Sequence, residues 1–396
     1  MAPGFPGASK GGNMKKILTC FFPLLLSLFL ILSVCGCGKE AESNDEYDTD
    51  GNSLLFTSGL VNSLYFDGAL YFKSSSFYRS FIDYYVPADN EYGTLCARPE
   101  CMHDSDSCDG YVIGMKSTQL MMYGGRLYFI DQNPSAGNWQ LVSQSPGGRD
   151  RRTHLKFDQE FFMGVGVKLS AIYDGTLYMF GNSTGVDDGK SINRAVLYSQ
   201  SLDGGELETL FEQDLEQPLL VKRVGNTVWF ALSRPGELAL YSFDLESGEL
   251  AERFNGAQEQ EFSEMFVEGE NFLFLSYGSV WELDTSDRTM KERIAFSEPN
   301  EHIFMLSRNA VFLLTDQTHY RCVDYSGRLL GEGQIADKEG FALGESMKTP
   351  VGCIDGKLYF LAATVFTTPE PYIYFLSYDP AADSFAVIRS GKMQMN

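Results

Sequence analysis

Three cysteines and one histidine lie within thirteen residues, in the run Cys96-Ala-Arg-Pro-Glu-Cys101-Met-His103-Asp-Ser-Asp-Ser-Cys108. Three thiols and one imidazole are a full tetrahedral donor set for a structural zinc. The spacing, C-x4-C-x-H-x4-C, differs from that of the common zinc knuckles. The competing chemistry is a disulfide, which an oxidising compartment favours. Any one disulfide here leaves a cysteine and His103 over. Five cysteines follow Cys37, an odd number, so at least one is free, metal-bound or intermolecular. Either way the expected role is to staple a loop. Cys322 and Cys353 are the other two, and neighbouring structural units could join them in a disulfide or bury them as thiols.

Other matches carry less. Gly181-Asn-Ser183-Thr-Gly185 has the G-x-S-x-G spacing of serine hydrolases, which works on a strand-to-helix elbow. Here Val-Asp-Asp-Gly-Lys follows, which reads as a loop. Gly189-Lys190-Ser191 lacks the first glycine of a phosphate loop, since position 184 is threonine. His154, His302 and His319 share no metal-ligand spacing. No catalytic residue is therefore expected.

The elements that must position the Cys/His run come from an internal repeat. Short apolar strands recur as Gly68-Ala-Leu-Tyr-Phe72, Gly125-Arg-Leu-Tyr-Phe129, Gly175-Thr-Leu-Tyr-Met179, Asn226-Thr-Val-Trp-Phe230, Glu270-Asn-Phe-Leu-Phe274, Asn309-Ala-Val-Phe-Leu313 and Gly356-Lys-Leu-Tyr-Phe360. Their centres are spaced by 57, 50, 51, 44, 39 and 47 residues, bracketing a four-stranded propeller blade. The Cys/His run occupies the longest interval, so it reads as an insertion at the edge of the first blade. Asp-Gly (67–68, 174–175, 355–356) or Gly-Gly (124–125) precedes four centres, as a tight type I′ hairpin requires. Asn226 and Asn309 stand in for glycine in two copies, because asparagine tolerates the left-handed region. A third, alternating strand ends in Asp244, Asp284, Asp324 or Asp379, which reads as a turn into a fourth. The expectation is an all-β propeller of seven blades, with six and eight also inside the range. Each repeat centre should be buried on both faces, and Leu54-Leu-Phe-Thr57 could add a strand to the last blade.

The N-terminal region reads as an export signal. Lys15 and Lys16 precede an apolar run from Ile17 to Val34. Val34-Cys35-Gly36-Cys37 resembles the lipobox of bacterial lipoproteins, which implies lipidation at Cys37; Cys35 at the second position is a departure. Translation is expected to start at Met14, because Lys10-Gly11-Gly12 can be encoded as a ribosome-binding sequence. The segments are thus 1–36 signal peptide, 37–52 lipidated cysteine and acidic tether, and 53–396 propeller. Residues 38–52 are polar and acidic, as a disordered tether should be. Glu46-x-Asp48-x-Asp50-Gly51 resembles a calcium loop only in part, since Thr57 stands where the bidentate Glu belongs.

The mature chain loses Lys10, Lys15 and Lys16 and keeps 28 basic against 53 acidic side chains, a net charge of −25. Such a surface disfavours nucleic acid and anionic lipid as partners, so the lipid would make the membrane contact.

The lipobox, the tether, the G-x-L-Y-F repeats and the Leu95–Cys108 insertion together resemble a family of β-propeller lipoproteins of Gram-positive anaerobes, with a propeller similar to the low-density-lipoprotein-receptor type. The resemblance covers residues 14 to about 391. It implies a membrane-anchored protein on the extracytoplasmic face and brings no activity with it. Two function classes follow. The first is a binding module for a protein, peptide or glycan; the second is a glycoside hydrolase or lyase with carboxylates in the funnel.

Overall fold

The computed structural model describes residues 56–57, 63–75, 80–103, 105–113, 120–132, 137–158, 161, 165–187, 190–215, 219–234, 236–258, 260–268, 271–276, 278–296, 301–307, 309–315, 319–335, 347–363 and 372–392. All belong to the compact unit Asn44–Asn396. Cys37, the lipobox, the acidic tether, Gly189 and the Gly269–Glu270 turn lie outside them. Among the described residues no helix is long and apolar enough to cross a membrane.

Seven antiparallel sheets follow one another along the chain and form a seven-bladed β-propeller. In each blade four strands pair in chain order. The first strands of successive blades approach one another, which places them nearest the axis. Every repeat centre falls on the second strand: Tyr71 in Ala69–Ser75, Tyr128 in Arg126–Gln132, Tyr178 in Thr176–Asp187, Trp229 in Thr227–Arg234, Leu273 in Asn271–Ser276, Phe312 in Val311–Leu314 and Tyr359 in Lys357–Ala363. Five of these centres are buried, but Tyr178 and Trp229 are half-buried. The second strand is sandwiched between blades only along part of its length, so ring ends emerge at the faces.

The turns obey their residues. Asp67, Asp174 and Asp355 sit at φ 48°, 42° and 50°, each followed by a glycine at positive φ, and Gly124 and Gly125 take 54° and 67°. In the fourth blade the left-handed residue is Gly225 at 57°, one position before Asn226, so glycine rather than asparagine carries that turn. The strand-ending aspartates fold back on themselves. Oδ1 of Asp244, Asp284, Asp324 and Asp379 accepts from the backbone N–H of Ser247, Ser286, Ser326 and Ala381 at 2.7–3.0 Å. This side-chain-to-backbone bond reverses the chain without a ladder partner.

The core is seven clusters, each between two adjacent blades. One combines Leu70, Phe72 and Tyr85 of the first blade with Val351, Ile354, Tyr359 and Phe375 of the seventh. The ring is thus closed by aromatic packing, with Phe72 and Phe375 stacked at 5.3 Å. Phe56–Thr57 does not join the last blade. It pairs with the first strand of the sixth blade, Phe56 opposite Leu306, so it covers an inner edge and leaves ring closure to the side chains of blades seven and one.

In blades two to seven the outer pair of strands is interrupted by a one-residue register shift, as between Leu240 and Tyr241 or between Val280 and Trp281. Such bulges increase twist and spoil a sheet edge for further pairing.

Candidate metal centre

The first blade solves the same edge problem differently. Its third strand, Ser80–Val86, pairs with two short segments, Glu91–Thr94 and Tyr111–Val112. Between them Ile82 holds both ends of the interruption: Leu95 N–H donates to its carbonyl at 2.8 Å, and its own N–H donates to the Gly110 carbonyl at 2.9 Å. Ile82–Asp83 occupies the place of the Leu240–Tyr241 shift. The insertion that carries the Cys/His run is therefore a bulge enlarged from one residue to Leu95–Gly110, at the edge of the first blade as its spacing implied.

Within this loop the sequence distances collapse. One ligand atom each from Cys96, Cys101, His103 and Cys108 lies within 4.8 Å of all the others. His103 Nδ1 is 3.4 Å from Cys108 Sγ. Zinc bonds of about 2.3 Å to sulfur and about 2.0–2.1 Å to nitrogen place a tetrahedral S···N edge at about 3.5 Å, so this pair already fits the ion. Two tight turns bring the thiols round: Cys101 N–H donates to the Arg98 carbonyl and Cys108 N–H to that of Ser105, both at 3.1 Å. His103 takes φ 54°, a left-handed position that costs a non-glycine residue energy. No disulfide joins Cys96, Cys101 and Cys108 here.

The electrostatics divide the thiols. Burial opposes ionisation of Cys96, yet backbone N–H groups of Arg98 and Asp109 and the thiols of Cys101 and Cys108 outweigh it, and its pKa falls below the ordinary thiol value. Burial pushes Cys108 up to about 12, with the other two thiols adding to the rise against the Gly110 N–H. Three thiolates around a divalent ion leave one excess negative charge. Arg98 stands beside them, its Nη2 4.0 Å from Cys101 Sγ and its Nε 3.5 Å from Asp109 Oδ2. It also donates to the Ser107 carbonyl, which ties the tip of the loop to its base.

The second blade supplies the platform, which the spacing of the cysteines did not reveal. Gln144 Nε2 donates to the Leu95 carbonyl at 3.1 Å. At the other end, Asp131 Oδ1 accepts from Ile113 N–H at 3.0 Å, and Arg151 bridges Asp131 Oδ2 at 2.6 Å to the Tyr111 carbonyl at 2.7 Å. Asp131 is 1% exposed, so the carboxylate end of this ion pair lies inside the seam between blades one and two, while Arg151 reaches it from the exposed surface. Gly148, at φ 77°, passes so close that a Cβ there would sit 2.7 Å from the Cys96 nitrogen.

The remaining candidates resolve as follows. Ser183 lies mid-strand in Thr176–Asp187, paired with Val165 and Arg194, so its glycine-flanked motif has no nucleophile elbow. Cys322 and Cys353 are both buried in the cluster between blades six and seven. No disulfide links them: Cys322 is a thiol whose pKa burial pushes up to about 12. Blade two contains a serine–histidine contact that no motif signalled, Ser143 Oγ to His154 Nε2 at 2.8 Å. Ser143 is fully buried and Arg126 Nε donates to the same oxygen at 2.9 Å, so the pair ties strands together.

A groove of about 650 Å³ opens at the seam of blades seven and one, lined among others by Tyr65, Tyr85, Asn90, Asp355, Lys357 and Tyr359. Its walls are 260 residues or more apart in sequence, and it exists only because the ring closes.

No family model and no curated protein sequence matches this chain. Solved structures do. An oligogalacturonate lyase in complex with manganese aligns with TM-score 0.41 and 10% identity over 68% of this chain and 74% of its own. A nidogen/laminin complex aligns with TM-score 0.34 and 16% identity over 58% of this chain and 76% of that one. Likeness at these levels carries no argument about ligand or chemistry.

Proposed function

We propose that this protein is a lipid-anchored, extracytoplasmic propeller that serves as a binding module, and that Cys96, Cys101, His103 and Cys108 hold one structural zinc. The anchor is the diacylated Cys37, and residues 38–52 tether the ring to the membrane. The ring presents its seam and loops to a protein, peptide or glycan on the cell surface.

The observation that carries the binding reading is the groove between blades seven and one. Its volume is of the size that small-molecule sites use. Its lining brings tyrosine, asparagine and serine groups together with one carboxylate, Asp355. Acid–base glycoside hydrolysis uses two carboxyl groups about 5–9.5 Å apart, so the lining favours recognition over cleavage. The zinc would act on the fold: it supplies four strong bonds where blade one lacks a continuous outer strand.

Acyl labelling tests the anchor. Wild-type protein should take up a labelled fatty acid and Cys37→Ser should not; undiminished label in the variant overturns it. For the metal, protein purified without added zinc should carry about one equivalent. Less than a tenth, together with a linked cysteine pair in non-reducing mass spectrometry, removes the metal and establishes the disulfide.

A further inference from the structure

We infer that the face of blade two turned toward blade three binds a phosphate group, held by Arg126, Arg152 and His154. The site lies apart from the metal loop and from the groove between blades seven and one, and it goes beyond the reading above.

Residues 149–156 hold Arg149, Arg151, Arg152 and Lys156, four basic side chains in eight positions of a chain whose mature charge is −25. Arg151 is taken up by Asp131. Strand register gathers Arg152 with other donors. Tyr128, Ser143 and Arg152 lie opposite one another on the second, third and fourth strands of the blade, and Arg126 is two residues from Tyr128, on the same face. This is the face that packs on blade three, since Tyr128 and Leu155 share a core cluster with Ile172 and Leu177. His154 is the residue passed over by the register shift between Thr153 and Leu155. The bulge brings its ring to the same place: Nε2 is 2.8 Å from Ser143 Oγ, and the ring is 5.0 Å from that of Tyr128.

Arg126 donates from Nε to Ser143 Oγ at 2.9 Å and from Nη2 to the Asp150 carbonyl. Arg152 donates from Nη2 to Asp150 Oδ2 at 3.2 Å. A guanidinium carries five N–H donors, so both arginines keep donors beyond those that the described residues use. The side chains of Arg152 and Asp150 are 59% and 67% exposed, which leaves the site open to solvent. Two guanidinium groups against one carboxylate leave an excess of positive charge. His154 senses it: burial lowers its pKa, and Arg126 and Arg152 lower it further. Donors on both sides of Ser143 can meet several oxygens of a tetrahedral oxyanion, whereas a planar carboxylate matches a single guanidinium fork. The acidic remainder of the ring repels an anionic bilayer, so the expected source is a soluble phosphate ester.

The test is titration of the detergent-solubilised full-length protein, isotope-labelled in its histidine rings, with inorganic phosphate. Chloride at equal ionic strength is the blank, and His154→Gln assigns the signal. Phosphate should bind in the millimolar range and raise the His154 pKa, because an adjacent anion favours the imidazolium. Arg152→Gln should weaken binding about fivefold, as for an exposed ion pair, and Arg126→Gln about tenfold. Arg293→Gln, in blade five, should bind as wild type does. Melting curves establish that the variants fold, and the exposed Arg152 decides alone if Arg126→Gln does not. If phosphate moves His154 no more than chloride does, or if Arg152→Gln binds as tightly as wild type, the assignment is overturned. Vesicles then identify the source: a soluble ester is supported if neither phosphatidylglycerol nor phosphatidylcholine displaces phosphate, and a lipid headgroup if phosphatidylglycerol alone does. The binding-module reading survives failure here, because it rests on the groove.

Discussion

Gly148 belongs to blade two, yet its replacement should disable the metal centre of blade one. It sits in the Ser145–Arg149 turn, which is braced by Ser145 N–H to the Arg149 carbonyl at 2.9 Å and Arg149 N–H to Ser145 Oγ at 2.9 Å. Alanine at φ 77° would cost about 1–2 kcal/mol of backbone energy for any L-residue. The new Cβ would also lie 2.7 Å from the Cys96 nitrogen, where ordinary contact begins at 3.4 Å. One of the two backbones must therefore give by about 0.7 Å, the difference of those distances. A metal site tolerates about 0.2 Å in its ligand distances. The loop is the softer partner, because the turn is cross-braced and Cys96 begins a segment outside the ladder. Cys96 should then lose its place in the donor set. Disturbing the supports of a metal site typically costs 10- to 100-fold in affinity, so Gly148→Ala should raise the zinc dissociation constant by that factor in a chelator competition. Gly147 is the internal control: a Cβ there meets nothing within 4 Å, and Gly147→Ala should bind zinc as wild type does. Equal affinity in the two variants would refute the claim that blade two positions the cysteines.

Three further outcomes follow from the same geometry. His103→Ala should lower zinc content while the far-ultraviolet dichroism of the ring persists, because the loop lies outside the repeat strands; loss of the all-β spectrum would contradict an edge insertion. Tyr128→Ala, at a site 5% exposed, should destabilise by about 3–5 kcal/mol, and the half-buried Tyr178→Ala by clearly less; denaturant midpoints that coincide would show that the two centres are not packed differently. Asp324 is held down to about 2 from 3.8, chiefly by the Ser326 hydroxyl, with burial opposing and the backbone N–H groups of Arg328 and Ser326 adding to the drop. A carboxylate with a depressed folded pKa stabilises above its unfolded value and loses that contribution as pH falls toward the folded one. Wild type should therefore lose stability between pH 3.8 and about 2 more steeply than Asp324→Asn, and identical slopes in denaturant titrations would remove the turn from the account.

Everything that depends on neighbours in the chain was legible in the residues. Asp67-Gly68 and Asp355-Gly356 specify their hairpins because two adjacent residues must take positive φ, and few residue types do so cheaply. The seven apolar centres announce seven blades because each blade repeats the same local strand and turn. The Cys/His run declares a donor set by type alone, and the length of its interval places it at an edge. What the sequence could not show is which distant surfaces meet. Phe56–Thr57 pairs with Leu306 and Met305 of the sixth blade, since backbone hydrogen bonding to an open edge is nearly blind to side chains. Gln144, Gly148 and Asp131 support Cys96 and Tyr111 only through the register of blades one and two. Tyr359 of the last blade and Tyr85 of the first stand 5.5 Å apart only because the ring closes, and that contact is set by the summed twist of seven sheets rather than by any residue near it in the chain.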